Sequence, residues 1–199
     1  MKRKQPVLLK THEEEKEKPR VEKDGRTIYF FGEVTTESAC QVIMYLDALE
    51  REAVNKPITI KMNSVGGTEY DGLAIYDAIR RCQCEIITIG TGLIASMGVP
   101  IFLAGDIRYL SENCSLMNHQ GSDEIEGRLA DLKITVAEIS TIENIIVDIM
   151  AERLGQSAHK VRNDIKIGDQ YLRAHQALEE GYAHEILPNR KTRRRRKKS

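Results

Sequence analysis

The sequence predicts an α/β protein with crossover connections, because segments with strand character alternate with segments of helical periodicity. Residues 27–33 are β-branched and aromatic, which is typical of a strand. An amphipathic helix follows, with Thr36 as its N-cap and its end near Glu52. The other predicted strands are 57–62, 84–90, 107–110, 115–118 and 183–187, and the other predicted helices are 69–82, 96–104, 127–154, a short one from 156, and 174–181.

The charge distribution separates an acidic body from two charged ends. The chain carries 30 basic and 30 acidic side chains, but residues 1–25 hold 8 basic and 6 acidic ones, and residues 190–199 hold 8 basic ones and no acidic one. Residues 26–189 keep 14 basic and 24 acidic side chains. We therefore expect a mobile arm at 1–25, one domain at 26–189 and a disordered tail at 190–199. An acidic body argues against a nucleic-acid partner.

Residues 86–105 contain no charged side chain, and 20 residues is the nominal length of a membrane span. Four glycines and Pro100 interrupt the stretch, however. The pattern therefore predicts a buried strand, a turn at 92–95 and a buried helix, with no membrane partner.

The four cysteines, at positions 40, 82, 84 and 114, form no CxxC pair. This favours reduced thiols and a cytoplasmic protein, and it implies no metal site.

The longest predicted helix, at 127–154, carries one apolar stripe. Its 28 residues would extend about 42 Å, which is longer than a small domain is wide. Part of it should project or meet a partner, so we expect a homo-oligomer. The stripe consists of Leu132, Val136, Ile139, Ile142, Ile146 and Ile149.

Three segments carry residues suited to covalent catalysis, each near the end of a strand. Ser96 follows a strand and a turn and begins a helix, whose N-terminal N–H groups favour negative charge. His119 ends an apolar strand, and Gly66-Gly67, in a predicted loop at 63–67, would let backbone N–H groups approach an oxyanion. Taken singly, each has an ordinary alternative, as a helix N-cap, a surface histidine and a simple turn.

In combination, these segments resemble the proteolytic subunit of the Clp protease, the ClpP peptidase family. The resemblance covers the chain from about Arg26 to Pro188. It is carried by Asn63-Ser64-Val65-Gly66-Gly67, Ala74-Ile75-Tyr76-Asp77, Ala95-Ser96-Met97-Gly98, Ala104-Gly105, Met117-Asn118-His119-Gln120, Asp169-Gln170-Tyr171-Leu172-Arg173-Ala174 and Glu180-Gly181-Tyr182-Ala183.

The resemblance implies a catalytic triad. It makes Ser96 the nucleophile, His119 the general base and Asp169 the group that orients the imidazole and stabilises the imidazolium. Asp164 is a second candidate for the acidic position. Asp169 fits better because it directly precedes the Gln-Tyr-Leu run.

The resemblance also implies the architecture around the triad. Backbone N–H groups of Gly67 and Met97 would form the oxyanion hole, and no cofactor is implied. The fold would be a twisted β-α spiral in which the 127–154 helix is a projecting handle. Family members assemble as two stacked heptameric rings, and an AAA+ unfoldase usually feeds peptide or unfolded protein substrates into the chamber.

The chain departs from the family pattern near the site. Ser64-Val65-Gly66-Gly67 stands where the family usually has Ser-Pro-Gly-Gly. Residues 121–127 stand where it has proline and a Gly-rich strand that binds substrate and joins the rings. Residues 67–76 also look like those of phage-encoded relatives that mature virus heads. A head-maturation peptidase is therefore one alternative. A non-catalytic ring subunit and a crotonase-like acyl-CoA enzyme are two others, and the presence of Ser96, His119 and Asp169 together argues against both.

A last departure concerns the unfoldase. In the family, aromatic side chains on the ring rim grip a hydrophobic loop of that partner. The matching positions here are Thr59, Lys61 and Arg81. Since two of these side chains are charged and the third is a hydroxyl, we expect this docking to be weakened or absent.

Overall fold

The computed structural model describes residues 20–121, 126–166 and 168–189. These ranges form eight strands and six helices. The strands are β1 (Arg20–Asp24), β2 (Thr27–Val34), β3 (Ile58–Gly67), β4 (Ile86–Ala95), β5 (Ile107–Ser111), β6 (Ser115–Asn118), β7 (Gln170–Arg173) and β8 (Glu185–Leu187). The helices are α1 (Thr36–Glu52), α2 (Glu69–Arg81), α3 (Gly98–Leu103), α4 (Leu129–Leu154), α5 (Ala158–Lys166) and α6 (Ala174–Glu179).

The sheet is mostly parallel, which confirms the predicted crossover architecture. Its order is β1-β2-β3-β4-β5-β8, and every pair from β2 to β8 along this path is parallel. The long strand β4 has two partners on one side: β5 pairs with its first half and β6 with its last three residues. The ends of β3, β4 and β6 therefore meet at one edge of the sheet, where a ligand site is expected.

The N-terminal boundary predicted at residue 25 is displaced. Residues 20–24 of the predicted arm form β1, which pairs antiparallel with β2 across the turn at Gly25. Val21 anchors this strand, because its side chain is buried in the core. Residues 1–19 of the predicted arm and 190–199 of the predicted tail lie outside the described residues.

The first helix occupies the predicted residues, but its N-cap is Thr35 and not Thr36. The Thr35 hydroxyl accepts a hydrogen bond from the backbone N–H of Ser38 at 3.2 Å, and the Ser38 hydroxyl in turn accepts one from the Thr35 N–H. This capping box satisfies two N–H groups that the first turn of a helix leaves unpaired. The apolar face of the helix then packs into the core through Val42, Leu46 and Leu49.

Two segments predicted as a loop and a turn are strand instead. Residues 63–67 extend β3 and residues 92–95 extend β4. The register between these strands shifts after Met62, and the Asn63 side-chain oxygen accepts a hydrogen bond from the Leu93 N–H at 3.1 Å. The glycines and the polar side chain in these segments do not follow the alternating pattern of a strand. The segments are nevertheless strand, because β3 and β4 stay paired beyond the register shift.

The uncharged stretch 86–105 forms a buried strand and a buried helix as predicted, β4 and α3, but without the predicted turn at 92–95. No helix in the described ranges is both long and apolar enough to cross a membrane.

Only the C-terminal half of α4 is anchored in the domain. Its buried residues begin at Ile142 and continue to Ala151. In the N-terminal half, Leu129 and Ile134 are each 70% exposed and Val136 is 50% exposed. The prediction that part of this helix projects is confirmed, because nothing in the described part of the chain covers these apolar side chains.

Candidate active site

Ser96 lies in a strained turn between β4 and α3. Its φ is 51°, and within the described ranges it is the one residue other than glycine with a positive φ. Its N–H donates to the Met117 carbonyl at 2.9 Å, and its carbonyl accepts from the Val99 N–H at 2.9 Å. The N-cap of α3 is Met97, so the alternative interpretation of Ser96 as a helix cap is wrong. Such strain at a polar residue is typical of functional sites.

The glycine pair at the end of β3 packs directly against this turn. Gly66 has a φ of 89°, and a Cβ at that position would lie 2.6 Å from the Ser96 Cβ and 2.9 Å from the Met97 nitrogen. A Cβ at Gly67 would collide with the Val34 carbonyl oxygen. Glycine at 66 therefore allows the end of β3 to come this close to the serine turn, and glycine at 67 allows it to pass this close to β2.

The Met97 N–H is a candidate oxyanion donor. It donates to no backbone carbonyl among the described residues. Together with the N–H of Gly67 on the neighbouring strand, it would form the two-donor arrangement that stabilises a tetrahedral intermediate.

We expect Gly66→Ala to destabilise the fold and to damage the serine turn together. The added methyl must displace either the Ser96 side chain or the neighbouring backbone, which costs about 1–3 kcal/mol beyond the backbone strain. Urea unfolding measures the loss. Gly155→Ala is the matched control, since Gly155 also has a positive φ of 64° but nothing lies within 4 Å of its Cβ position. Equal losses for the two variants would contradict the close packing.

His119 reaches the same cleft from β6. It directly follows that strand, and it lines two adjoining cavities together with Ser96. A hydrogen bond holds the end of β6 in place, because the Asn118 side-chain amide donates to the Tyr182 hydroxyl at 2.9 Å. Both side chains are buried, and burial raises the pKa of the Tyr182 hydroxyl above its usual range. The structure thus brings Ser96 and His119 together as predicted.

Asp169 directly precedes β7, the strand that pairs with β6. β7 pairs antiparallel with β6, and the last bridge joins Asn118 to Gln170. One further step along this ladder would set His119 opposite Asp169. Asp169 is exposed and lines neither cavity. In the described ranges no hydrogen bond joins the serine, histidine and aspartate side chains.

The alternative acid, Asp164, is engaged elsewhere. It lies on α5 and forms an ion pair with Lys160 at 2.7 Å, one turn earlier on the same helix. This pairing favours Asp169 as the partner of His119.

Acidic side chains that the sequence analysis did not identify line the cleft. Glu69 begins α2 two residues after Gly67 and lines both cavities. Glu143, from α4, lines the first cavity, and Glu138 lines the second. Tyr70 donates to Glu138 at 2.7 Å, and this hydrogen bond raises the pKa of the Tyr70 hydroxyl. Glu69 could have been predicted to line the cleft, because it lies two residues after Gly67 in the sequence. The position of Glu143 in the cleft could not, because it depends on how α4 packs against the domain.

The comparison with known families identifies the class of protein. The fold is a mostly parallel α/β sheet with a cleft where the strands end. The sequence model of the family described as Clp protease matches residues 15–190. The chain therefore belongs to the Clp protease family, and it is a peptidase of the ClpP kind with the predicted ClpP/crotonase-like fold. Members of this family typically form oligomeric rings and act on peptides.

Proposed function

We propose that the chain is a serine endopeptidase that cleaves peptides and unfolded proteins in the cytoplasm, inside an oligomeric chamber. One observation carries this proposal above the others. The strained turn packs Ser96 against Gly66 and presents it to the cleft that His119 also lines.

The proposed reaction has two halves. The Ser96 Oγ attacks the scissile carbonyl carbon while His119 accepts its proton, and the N–H groups of Gly67 and Met97 hold the oxyanion. The tetrahedral intermediate collapses, the C–N bond breaks, and His119 returns the proton to the leaving amine. Water then attacks the acyl-enzyme while His119 accepts its proton. The bond to the Ser96 Oγ breaks, His119 returns the proton to that oxygen, and the new carboxylate is released. Asp169 orients the imidazole throughout.

Labelling with a serine-reactive phosphonate tests this proposal. We expect one label per chain, located on Ser96 by peptide mapping, and no label on urea-unfolded protein. A folded protein that takes no label would contradict the mechanism and would favour a non-catalytic ring subunit or an acyl-CoA enzyme.

We also propose that the protein assembles as two stacked heptameric rings. The exposed apolar half of α4 supports an assembly, because single chains rarely leave such side chains uncovered along one helix. Electron micrographs of the purified protein would show rings and their subunit number. A monodisperse monomer at micromolar concentration would contradict the assembly.

The proposed rings should dock poorly with an ordinary Clp unfoldase. Thr59 and Lys61 lie on the same face of β3, and the Lys61 ammonium lies 5.3 Å from the centre of the Tyr29 ring. Arg81 ends α2 and is exposed. A hydrophobic loop would gain little apolar contact here and would desolvate two cations.

We expect slow degradation of a tagged folded substrate when the protein is mixed with a bacterial Clp unfoldase and ATP. The triple variant Thr59→Tyr, Lys61→Tyr, Arg81→Phe should increase that rate. Arg51→Phe is the control, because it places one aromatic side chain at the exposed end of α1 instead. Degradation by the unaltered protein at the rate of an ordinary Clp peptidase would refute this prediction.

A further inference from the structure

The first of the two cavities beside Ser96 is small and reaches into the core of the domain. It encloses about 50 Å³. Val147 and Met150 line it from α4 and Ile165 lines it from α5, and all three side chains are buried. Because these side chains also pack in the hydrophobic core, the depth of the cavity is set by how α4 and α5 pack against the domain.

The second cavity is an open groove of about 550 Å³. Exposed residues on α2 and on the projecting half of α4 line it, among them Tyr70, Thr135 and Glu138. An extended substrate backbone fits such a groove, whereas the first cavity has room for one side chain. Met97, whose N–H would hold the oxyanion, lines the first cavity and not the second. The first cavity is therefore the place for the side chain of the residue whose carbonyl is attacked.

The volume of the first cavity limits the size of that side chain. A cavity of about 150 Å³ holds a benzene ring, and one of about 10–15 Å³ holds a single water molecule. On this scale, the 50 Å³ beside Ser96 has room for roughly one to three heavy atoms. Leucine, methionine and the aromatic residues have longer side chains. They would have to displace buried side chains such as Val147 and Met150, which is the cost of overpacking a core.

Polar side chains that line the first cavity already have partners within the protein. The Asn118 amide donates to the Tyr182 hydroxyl, and Glu143 accepts from the Gln120 amide at 3.4 Å. Glu69 is engaged as well. A hydroxyl group on the substrate side chain would therefore gain little over a methyl group, which packs against the aliphatic walls.

We infer that the first cavity selects a small apolar side chain, alanine above all, in the residue whose carbonyl is attacked, an inference that depends on the proposed peptidase function. Glycine would leave the cavity unfilled and would lose the apolar contact of a methyl group. Side chains of four or more heavy atoms would not fit. An apolar pocket discriminates by about 10–200-fold for one methylene too many or too few, so the preference should be easy to measure.

A homologous series of peptidyl aminomethylcoumarins tests the inference. The peptides differ only in the residue before the coumarin, which is glycine, alanine, 2-aminobutyrate, norvaline or norleucine, so the side chain grows by one carbon at a time. We expect kcat/KM to be highest for alanine or 2-aminobutyrate and to be lower by about tenfold or more for norleucine. If burial of apolar surface alone decided the preference, kcat/KM would rise through norleucine, and that result would overturn the inference.

Two substitutions of Ile146 enlarge the first cavity in steps. Ile146 lines this cavity from α4 and is half-buried. Ile146→Val and Ile146→Ala remove progressively more of its side chain, so the highest kcat/KM should move to longer substrate side chains, and further in the alanine variant. Ile145→Ala is the matched control, because Ile145 is the same residue type one position earlier but is exposed and lines neither cavity. It should keep the original order of the peptides.

The outcomes distinguish this inference from the proposed function. Phosphonate labelling of Ser96 shows which variants keep a folded site, and the mild Ile146→Val substitution carries the test if Ile146→Ala takes no label. A labelled, active protein that prefers norleucine to alanine overturns the inference alone. So does an unchanged order of peptides in the labelled Ile146 variants. An unaltered protein that is neither labelled nor active would contradict the peptidase proposal itself.

Discussion

Ser96→Ala is expected to abolish peptide hydrolysis while the fold and the assembly stay intact. The substitution removes the attacking oxygen, and loss of the nucleophile from a serine triad costs on the order of 10⁶ in rate. The backbone strain at φ 51° is already present with serine, so alanine adds no new strain at that position. The cavity loses one oxygen atom, and no hydrogen bond among the described residues depends on it.

The measurement is hydrolysis of a fluorogenic peptide, with circular dichroism and light scattering to compare the fold and the assembly. Ser140→Ala is the matched control, because Ser140 lies on α4 and donates only to the Val136 carbonyl within its own helix. If Ser96→Ala retains hydrolysis within tenfold of the unaltered protein, Ser96 is not the nucleophile.

Asp169→Asn should lower kcat by about 10⁴-fold. An asparagine in this position can donate to His119, which favours the imidazole tautomer that cannot accept the proton of Ser96. The size of the substituted side chain hardly changes, so the antiparallel pairing of β6 with β7 should be retained. His119→Ala should be at least as damaging, because it removes the base itself.

Two comparisons sharpen this test. Asp164→Asn should leave hydrolysis within a few-fold of the unaltered protein, since its carboxylate pairs with Lys160 and not with the site. The double variant Ser96→Ala, Asp169→Asn should be little worse than Ser96→Ala, because triad residues act as a unit. A large loss with Asp164→Asn and a small loss with Asp169→Asn would reverse the assignment of the acid.

The regular part of the fold could be predicted because its residues follow simple periods. The buried alternation of β2 and the apolar face of α1 are visible in the sequence, and their predicted limits agree closely with the structure. The ends of β3 and β4 were missed because glycines there serve tertiary packing, which no local pattern records. The strand β7 was missed because it has four residues, and it depends on β6, which lies more than fifty residues earlier.

In the site too, the residues that follow strands could be predicted, whereas the contacts between distant parts of the chain could not. Ser96, His119 and the glycine pair stand out in the sequence because each follows a strand, and the structure places them together. The supporting contact between Asn118 and Tyr182 joins residues 64 positions apart, so neither residue signals it alone. The acid Glu143 could not be found either, since its position depends on the rotation of α4 against the sheet.

The attachment of β6 has a consequence for the order in which a chain emerges from the ribosome. The strand that carries His119 is paired with Gln170–Arg173, and its last residue is held by Tyr182. A nascent chain that has been translated only through α4 lacks both supports, and it also lacks Asp169. Because domains generally fold as units during synthesis, a peptidase site of this design is completed only after nearly the whole domain has been translated.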